Sequence, residues 1–314
     1  MKIINEPLAS NYVNVFKRYF FATRPAFLLA TLAACLLGFA SVNSSGIVLK
    51  PLLALVTLLL ALLMHAAVNV LNDYFDALNG TDDVNVERVY PFTGGSRFIQ
   101  NGILTRKQTA QFGYALLACA MLGGLWLVLK LGFGLLLVGG LGVLVGWAYS
   151  ATPFKLNSRG LGEFCVLIGF LGIIIGADFV QRGVFSWQPV MVGLPYALLV
   201  TNLLFINQFP DNQADISAGK LHWVARLSPA KAVAIYPAIT LLALAWLVIM
   251  VKVNVLPMVG LLAMLPLIFS LSVAGILKRN YLMPAKLRPA IQLTLVAMLG
   301  HALILTAVLF WNAR

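Results

Sequence analysis

Two short stretches of the sequence concentrate aspartate in a chain that otherwise carries little acid. Ten of the 314 residues are Asp or Glu, and six of these ten fall in the two stretches. The six are Asp73, Asp76, Asp82 and Asp83 in the first stretch, and Asp211 and Asp215 in the second. Charges that only solvate a surface are scattered more evenly, so this clustering predicts a cation-binding site.

The spacing within each stretch indicates the chemistry. Asp73 and Asp76 are three residues apart and Asp211 and Asp215 are four apart, so each pair shares one face of a continuing helix. Neighbouring carboxylates repel each other unless a cation lies between them. Mg²⁺ suits such pairs, because one or two carboxylates hold it while waters and substrate phosphates complete its shell. The sequence therefore predicts a Mg²⁺–diphosphate site with these four aspartates as ligands.

Further polar residues around the two stretches are candidate substrate contacts. Asn69 precedes Asp73 by the interval that separates Asn207 from Asp211. Two matched stretches argue against simple polar loops at a membrane surface. The candidate substrate-binding residues are Asn69, Asn72, Asp82, Arg97, Asn207, Lys220 and Arg226, with Lys155 a further candidate diphosphate contact. Each of the basic residues has an alternative interpretation, in which it only helps to set the orientation of the chain in the membrane.

The elements that must position these residues are membrane-spanning helices. Hydrophobic residues make up 61% of the chain and charged residues only 10%, so lipid is the expected solvent. Backbone groups cannot stay unpaired in lipid, which predicts an all-α polytopic protein. We predict nine spans, at 26–43, 50–72, 109–129, 131–149, 161–181, 188–208, 232–251, 255–277 and 289–311.

The basic residues between these spans predict the orientation. Alternate loops hold 17 of the 22 Lys and Arg residues and the other loops hold 5. The positive-inside rule then places the N-terminus and both acidic stretches on the cytoplasmic side. The same topology explains the net charge of +12 without nucleic acid. A bacterial inner membrane is the expected location, and no protein partner is inferred.

A weak internal repeat accompanies the matched motifs. The second Asn-x₃-Asp lies 138 residues after the first, and each is followed by a glycine, Gly80 or Gly219. We expect one membrane-embedded domain over 1–314, with helices 1–4 and 5–8 as two related units.

At these motifs the sequence resembles the UbiA superfamily of intramembrane prenyltransferases over nearly its whole length. The family's N-D-x-x-D and D-x-x-x-D motifs match Asn72-Asp73-Tyr-Phe-Asp76 and Asp211-Asn-Gln-Ala-Asp215. Other segments are similar to the 1,4-dihydroxy-2-naphthoate branch of menaquinone synthesis. They are Thr23-Arg24-Pro25, Gly94-Gly95-Ser96-Arg97, Tyr149-Ser-Ala-Thr-Pro153, Arg159-Gly-Leu-Gly-Glu163 and Ile206-Asn-Gln-Phe-Pro-Asp211.

The resemblance implies a UbiA-like helical bundle that ionises an allylic polyprenyl diphosphate, with an aromatic acceptor attacking the resulting cation. It implies catalytic roles for the four aspartates, Lys155 and Tyr149, whose ring is suited to facing a cation. Tyr149 has the alternative of an interfacial aromatic anchor. Arg24 could contact an acceptor carboxylate or the diphosphate, or be a snorkelling anchor.

One departure from the branch concerns the acceptor. After Lys220 the branch has a Thr-Leu-Val-Val-Arg-Leu-Gly type segment, whereas this chain reads Leu221-His222-Trp223-Val-Ala-Arg226-Leu227-Ser228, which keeps Arg226 but lacks the glycine. Another acceptor such as 4-hydroxybenzoate therefore stays open. A transporter is the non-enzyme alternative, but transporters place polar sites near the bilayer midplane and these spans are nearly free of acid.

The remaining polar residues of the spans have structural interpretations. Asp178 and Arg182 are four residues apart and are expected to form an ion pair. Glu163 is expected to pair with Arg159 or to favour the N-terminus of its helix. His65 and His301 are expected to be core residues far from the motifs.

Overall fold

The computed structural model describes residues 6–312, and every regular element in that range is helical. Four short 3₁₀ segments occur, at Ala9–Tyr12, Leu156–Arg159, Met258–Met264 and Pro284–Leu287. The α-helices are α1 Val15–Ala22, α2 Pro25–Asn43, α3 Pro51–Asn79, α4 Thr81–Val84, α5 Arg106–Leu131, α6 Gly134–Ser150, α7 Gly162–Arg182, α8 Gln188–Ser217, α9 Trp223–Leu227, α10 Pro229–Ala232, α11 Ile235–Lys252, α12 Leu267–Asn280 and α13 Arg288–Trp311.

The apolar helices are those of a multi-pass membrane protein. Within the described residues, eight helical stretches are long and apolar enough to cross a bilayer. The apolar helix α6 has 17 residues and therefore spans about 25 Å. The all-α prediction is confirmed, while the count of nine crossings and the cytoplasmic N-terminus stay predictions. The division into two four-helix units also stays a prediction.

Two helices extend beyond their predicted ends, and these extensions carry the acidic motifs. The predicted second span ends at 72, but α3 runs to Asn79 and stops where Gly80 adopts a left-handed φ of 80°. The predicted sixth span ends at 208, but α8 runs to Ser217. Both aspartate pairs are thus on continuing helices, as the i,i+3 and i,i+4 spacing predicted. Hydropathy underestimates such ends because it detects lipid contact and not helical hydrogen bonding.

The predicted eighth span is interrupted. The 3₁₀ segment Met258–Met264 is followed by Pro266, and α12 begins only at Leu267. Proline has no backbone N–H and cannot continue the hydrogen-bond ladder of a preceding helix. The ring Nδ1 of His301 lies 2.9 Å from the carbonyl oxygen of Ala263, so this fully buried histidine is a core residue as predicted.

The main core surrounds α8, most of whose residues are buried. It is packed by α2, α7, α11 and α13. The hydroxyl of Tyr196 donates to the carbonyl oxygen of Ala30 at 2.7 Å and ties α8 to α2. Asn202 donates to Thr240 at 3.0 Å and ties α8 to α11. These bonds satisfy buried polar groups that would otherwise destabilise the bundle.

At one end of the bundle, polar contacts tie α7 to its neighbours. The Arg182 guanidinium donates to both carboxylate oxygens of Asp178, at 2.7 and 2.8 Å, which confirms the predicted ion pair. Gln181 accepts a bond from the backbone N–H of Lys50 at 2.7 Å. We call the opposite end, where α3 and α8 carry their aspartates, the acidic end.

Candidate active site

Lys220 joins the two acidic motifs at the acidic end. Its ammonium nitrogen lies 2.8 Å from Asp76 Oδ2 and 3.6 Å from Asp215 Oδ1. Burial by itself lowers the pKa of Lys220, but the carboxylates of Asp215 and Asp76 outweigh burial and raise it above its usual value. The lysine is therefore charged, and the two motifs converge on a single cation although 139 residues separate Asp76 from Asp215.

The loop between α4 and α5 holds the other two aspartates. Asn85 donates to Asp211 Oδ1 at 2.7 Å, and the backbone N–H of Gly94 donates to Asp211 Oδ2 at 3.3 Å. The backbone N–H of Ser96 lies 3.2 and 3.3 Å from the two carboxylate oxygens of Asp73. Backbone donors so placed stabilise the ionised carboxylates and set their orientation.

Asp82 belongs to the same cluster. It is 4% exposed, although it follows the helix-ending Gly80 by only two residues. Burial, followed by the neighbouring carboxylates of Asp76 and Asp73, raises the pKa of Asp82 well above its usual value. A cluster in which carboxylates raise one another's pKa requires additional positive charge before all of them ionise.

The acidic end opens into a large apolar cavity. The cavity has a volume of about 1420 Å³ and is lined mainly by α3, α5, α6, α7 and α8. Small-ligand pockets are commonly about 300–1,000 Å³, so this cavity suits a longer ligand. Its polar lining includes Asn72, Asp76, Asp82, Asp211, Asp215 and Lys220. The site therefore combines an anion-binding mouth with an apolar body.

Side-chain oxygens at the mouth of the cavity are suited to binding a hard divalent cation such as Mg²⁺. Asp76 Oδ1 and the amide oxygens of Asn85 and Asn207 are buried without a hydrogen-bond partner. Oxygen donors of this kind are the ligands that Mg²⁺ prefers. Over residues 6–312, no three His, Cys, Asp or Glu side chains form a group that could hold an ion. Ligand oxygens would have to complete the coordination shell, as is usual for Mg²⁺ with phosphates.

The three predicted asparagines lie along the cavity wall at this end. Asn69 donates to the carbonyl oxygen of Thr23 at 3.0 Å. Asn72 donates to Asp76 Oδ2 at 3.2 Å and to the Ser150 hydroxyl at 2.9 Å. Asn72 therefore orients one of the predicted metal ligands.

Arg24 and Tyr149 also line the cavity. The Arg24 guanidinium lies 4.6 Å from the ring centroid of Phe27 and makes one long bond, 3.4 Å, to the carbonyl oxygen of Phe92. Its Nε is buried without a hydrogen-bond partner. In the described part of the chain Arg24 forms no salt bridge, so its charge is available to an anionic ligand.

Three predicted basic contacts lie outside the cavity lining: Arg97, Lys155 and Arg226. The Arg97 guanidinium points to Glu6, 3.7 Å away, and to the backbone carbonyl of Asp82. Arg226 donates to the carbonyl oxygens of Leu221 and Arg159 at 2.7 and 3.1 Å. The Arg97 and Arg226 side chains bind backbone and loop groups, and Lys155 does not line the cavity, so a direct diphosphate contact by any of the three stays a prediction. Lys220 is the predicted basic residue that reaches both acidic motifs.

Two histidines, His65 and His222, line the cavity. The Nδ1 of His65 lies 2.7 Å from the Thr31 hydroxyl, so His65 is a hydrogen-bonded residue as predicted, and it also lines the cavity wall. His222 lines it too, with Nε2 3.2 Å from Asp215 Oδ2. The departure from the family segment at His222 was the one available signal.

Glu163 is in the first turn of α7, as one of its two interpretations predicted. It accepts a bond from Gln208 at 2.8 Å, whereas Arg159 donates to the carbonyl oxygen of Pro153. The alternative pairing with Arg159 is therefore wrong, because the helix start turns the carboxylate towards α8.

We expect Gly95→Ala to lower kcat by about 100-fold, since displacing catalytic groups by about 1 Å has effects of that size. Gly95 has a φ of 71°, and a Cβ there would lie 2.6 Å from Asp82 Oδ2 and 3.0 Å from Asp73 Oδ1. Gly102→Ala is the matched control, because Gly102 has a φ of 66° with nothing within 4 Å of its Cβ position. Steady-state kinetics and thermal unfolding of both variants check this. Equal losses in the two variants would attribute the effect to backbone strain alone.

Comparison with known proteins agrees with this geometry. The model of the UbiA prenyltransferase family matches residues 27–296. The chain belongs to the UbiA prenyltransferase family. This assignment supports transferase activity and replaces the transporter alternative.

The relatives of this UbiA-family protein include naphthoate enzymes. It is 29% identical over 216 residues to 1,4-dihydroxy-2-naphthoate octaprenyltransferase of Escherichia coli, covering 67% of this chain and 68% of that protein. It is 29% identical over 213 residues to the Mycobacterium tuberculosis enzyme of the same name, covering 67% and 70%. A UbiA homologue from Archaeoglobus fulgidus, solved with GPP and Mg²⁺, superposes with a TM-score of 0.66 at 13% identity, covering 93% of this chain and 100% of that one. The superposition confirms the UbiA fold.

Proposed function

We propose that this protein transfers a polyprenyl group from an allylic isoprenoid diphosphate to 1,4-dihydroxy-2-naphthoate in a Mg²⁺-dependent reaction of menaquinone biosynthesis. The observation that carries the proposal is the convergence of both acidic motifs on Lys220 at the mouth of an apolar cavity of about 1420 Å³. A polyprenyl diphosphate has the same division into an anionic head and a long apolar tail.

The acidic end supplies the groups that bind the diphosphate head. Asp73, Asp76, Asp211 and Asp215 are the proposed metal ligands, with Asp82 and Asn207 beside them. Mg²⁺, when bound, stabilises the negative charge that develops on the leaving diphosphate. Lys220 donates to a phosphate oxygen and supplies positive charge at the same place.

The cavity walls act on the rest of the substrate. Apolar residues of α5, α6 and α7 hold the tail and exclude water, which would otherwise capture the allylic cation. The Tyr149 ring lines the cavity and is suited to stabilising that cation through its π face.

The naphthoate acceptor is supported by two observations. The relatives from Escherichia coli and Mycobacterium tuberculosis are both named for 1,4-dihydroxy-2-naphthoate. Arg24 brings to the cavity a guanidinium that forms no salt bridge with the described residues, which suits the carboxylate of such an acceptor. A 4-hydroxybenzoate acceptor also carries a carboxylate and is therefore an outcome that the experiment must distinguish.

We also propose a bacterial inner-membrane location with the acidic end facing the cytoplasm. The support is the distribution of 17 and 5 basic residues between alternate loops. Water-soluble acceptors would then reach the site from the cytoplasm, and the prenyl chain would enter from the bilayer.

The experiment is an assay of purified protein with Mg²⁺ and farnesyl or a longer polyprenyl diphosphate. Parallel reactions contain 1,4-dihydroxy-2-naphthoate or 4-hydroxybenzoate, and prenylated products are identified by mass. We expect the prenylated naphthoate product, its loss with EDTA, and its return when Mg²⁺ is added in excess. Product from 4-hydroxybenzoate alone would keep the reaction and change the acceptor. Absence of both products from folded protein would contradict the proposed activity.

A further inference from the structure

His222 is a buried histidine whose two ring nitrogens face different parts of the molecule. The residue is 4% exposed and lines the cavity beside Lys220. Its Nδ1 accepts a hydrogen bond from the backbone N–H of Ala225 at 3.2 Å, which caps α9. Its Nε2 lies 3.2 Å from Asp215 Oδ2.

The cap determines which nitrogen carries the proton. A ring nitrogen that accepts a hydrogen bond from a backbone N–H is unprotonated, so Nδ1 is the acceptor and Nε2–H is the donor. This Nε2 is buried and has no well-aligned hydrogen-bond partner. Asp215 Oδ2, 3.2 Å away, is the acceptor within reach.

The two oxygens of Asp215 have different partners. Oδ1 lies 3.6 Å from Lys220, whose ammonium is closer to Asp76, at 2.8 Å. Lys220 is therefore shared between two carboxylates and lies closer to Asp76 than to Asp215. The second oxygen of Asp215, Oδ2, faces His222 instead.

The segment around His222 is anchored to the loop that precedes α7. The backbone N–H of Leu221 donates to the carbonyl oxygen of Ser158 at 2.9 Å. The indole N–H of Trp223 donates to the carbonyl oxygen of Gly160 at 2.9 Å, and its backbone N–H lies 3.3 Å from Glu163 Oε1. These contacts on both sides of His222 hold its ring in one position.

We propose that His222 is a positioning residue that orients the Asp215 carboxylate for the metal–diphosphate complex through Nε2–H, while Nδ1 caps α9. The inference rests on the proposed function, since it requires Asp215 to be a metal ligand. Groups that orient a metal ligand in this way typically change metal affinity or activity by about 10–100-fold when removed.

Two substitutions separate the two roles of the ring. His222→Asn keeps an acceptor near the position of Nδ1, and asparagine caps helices well, but it has no group at the position of Nε2. His222→Gln places an amide N–H near the position of Nε2 and loses the cap. Mn²⁺ binding, measured by electron paramagnetic resonance with a non-hydrolysable prenyl diphosphate analogue, is the readout, together with Tm, kcat and KM.

We expect His222→Asn to keep its Tm and to weaken Mn²⁺ binding by about tenfold or more, with kcat falling in parallel. His222→Gln should have a lower Tm but bind Mn²⁺ within about threefold of wild type, because Nε2–H is replaced. In an Asp215→Asn background, His222→Asn should have little further effect on Mn²⁺ binding, since contacting groups are not additive.

Wild-type Mn²⁺ affinity in His222→Asn would overturn the inference while leaving the proposed function intact. If His222→Asn weakened Mn²⁺ binding as much in the Asp215→Asn background as in the wild type, the inference would also be overturned. His222 would then affect metal binding without acting through Asp215. Failure of the wild-type protein to bind Mn²⁺ with the diphosphate analogue would instead contradict the proposed function.

Discussion

Asp76→Asn and Asp215→Asn are each expected to lower kcat by about 10³-fold, the upper range for removing one group that stabilises transition-state charge. Asparagine keeps the size of the side chain and removes its charge. Both carboxylates are buried beside Lys220, and among the described residues Asp76 Oδ1 has no hydrogen-bond partner. The measurement is kcat for prenyl transfer at saturating diphosphate over a range of Mg²⁺ concentrations.

Asp83→Asn is the matched control for these two substitutions. Asp83 lies next to Asp82 in the first acidic stretch, but its side chain is 49% exposed, and within residues 6–312 its ion-pair contact is with Arg106 at 3.9 Å. Exposed pairs of this kind contribute little, so we expect kcat to stay within about twofold of wild type. Comparable losses in Asp83→Asn would mean that general negative charge, and not a defined metal site, supports the reaction.

Lys220→Met is expected to lower kcat/KM for the prenyl diphosphate by about 10²–10³-fold, because a buried cation at the developing charge is lost. The substitution also leaves Asp76 and Asp215 without their shared counter-ion, so we expect a lower Tm in the absence of metal. Excess Mg²⁺ should restore the Tm more completely than it restores kcat/KM, since the metal replaces the charge but not the donor to phosphate. Thermal unfolding and steady-state kinetics, each with and without Mg²⁺, provide the check.

Lys231→Met separates this role from membrane topology. Both lysines belong to the segment between α8 and α11, and both count as positive-inside charges, but Lys231 is exposed. Lys231→Met changes the charge of this segment by the same amount as Lys220→Met, but it leaves the cavity lining unchanged. Kinetics close to wild type in Lys231→Met, with a large loss in Lys220→Met, support a direct role. Similar losses in both variants would contradict that role and indicate an effect of loop charge on insertion.

Local patterns in the sequence were sufficient to predict the helices and the acidic motifs. Apolar runs of about 20 residues can satisfy their backbone in lipid only as helices, so the all-α fold follows from composition and length. The Asp178–Arg182 pair was predictable for the same reason, since residues four apart on a helix are neighbours whatever surrounds them. The continuation of α3 and α8 through the motifs follows from the aspartate spacing as well.

Local sequence patterns did not distinguish the basic residues that bind substrate from those that have other roles. Lys and Arg in a loop of a membrane protein set topology, bind substrate or pair locally, and the sequence pattern is the same in each case. Lys220 and Lys155 looked equivalent in the sequence, yet Lys220 bridges two acidic motifs and Lys155 lies outside the cavity lining. A hydrogen bond acts over about 3 Å, a precision that loop sequence does not determine.

The sequence by itself determined a polytopic helical protein, two acidic motifs on helix ends and a resemblance to intramembrane prenyltransferases. These features depend on hydropathy, residue type and spacing within one helix. The tertiary structure alone decided that Lys220 joins Asp76 to Asp215, that His65 and Arg24 line the cavity, and that the Arg97 guanidinium points to Glu6. The physical reason is that these contacts join residues far apart in the chain, and their distances depend on how whole helices pack.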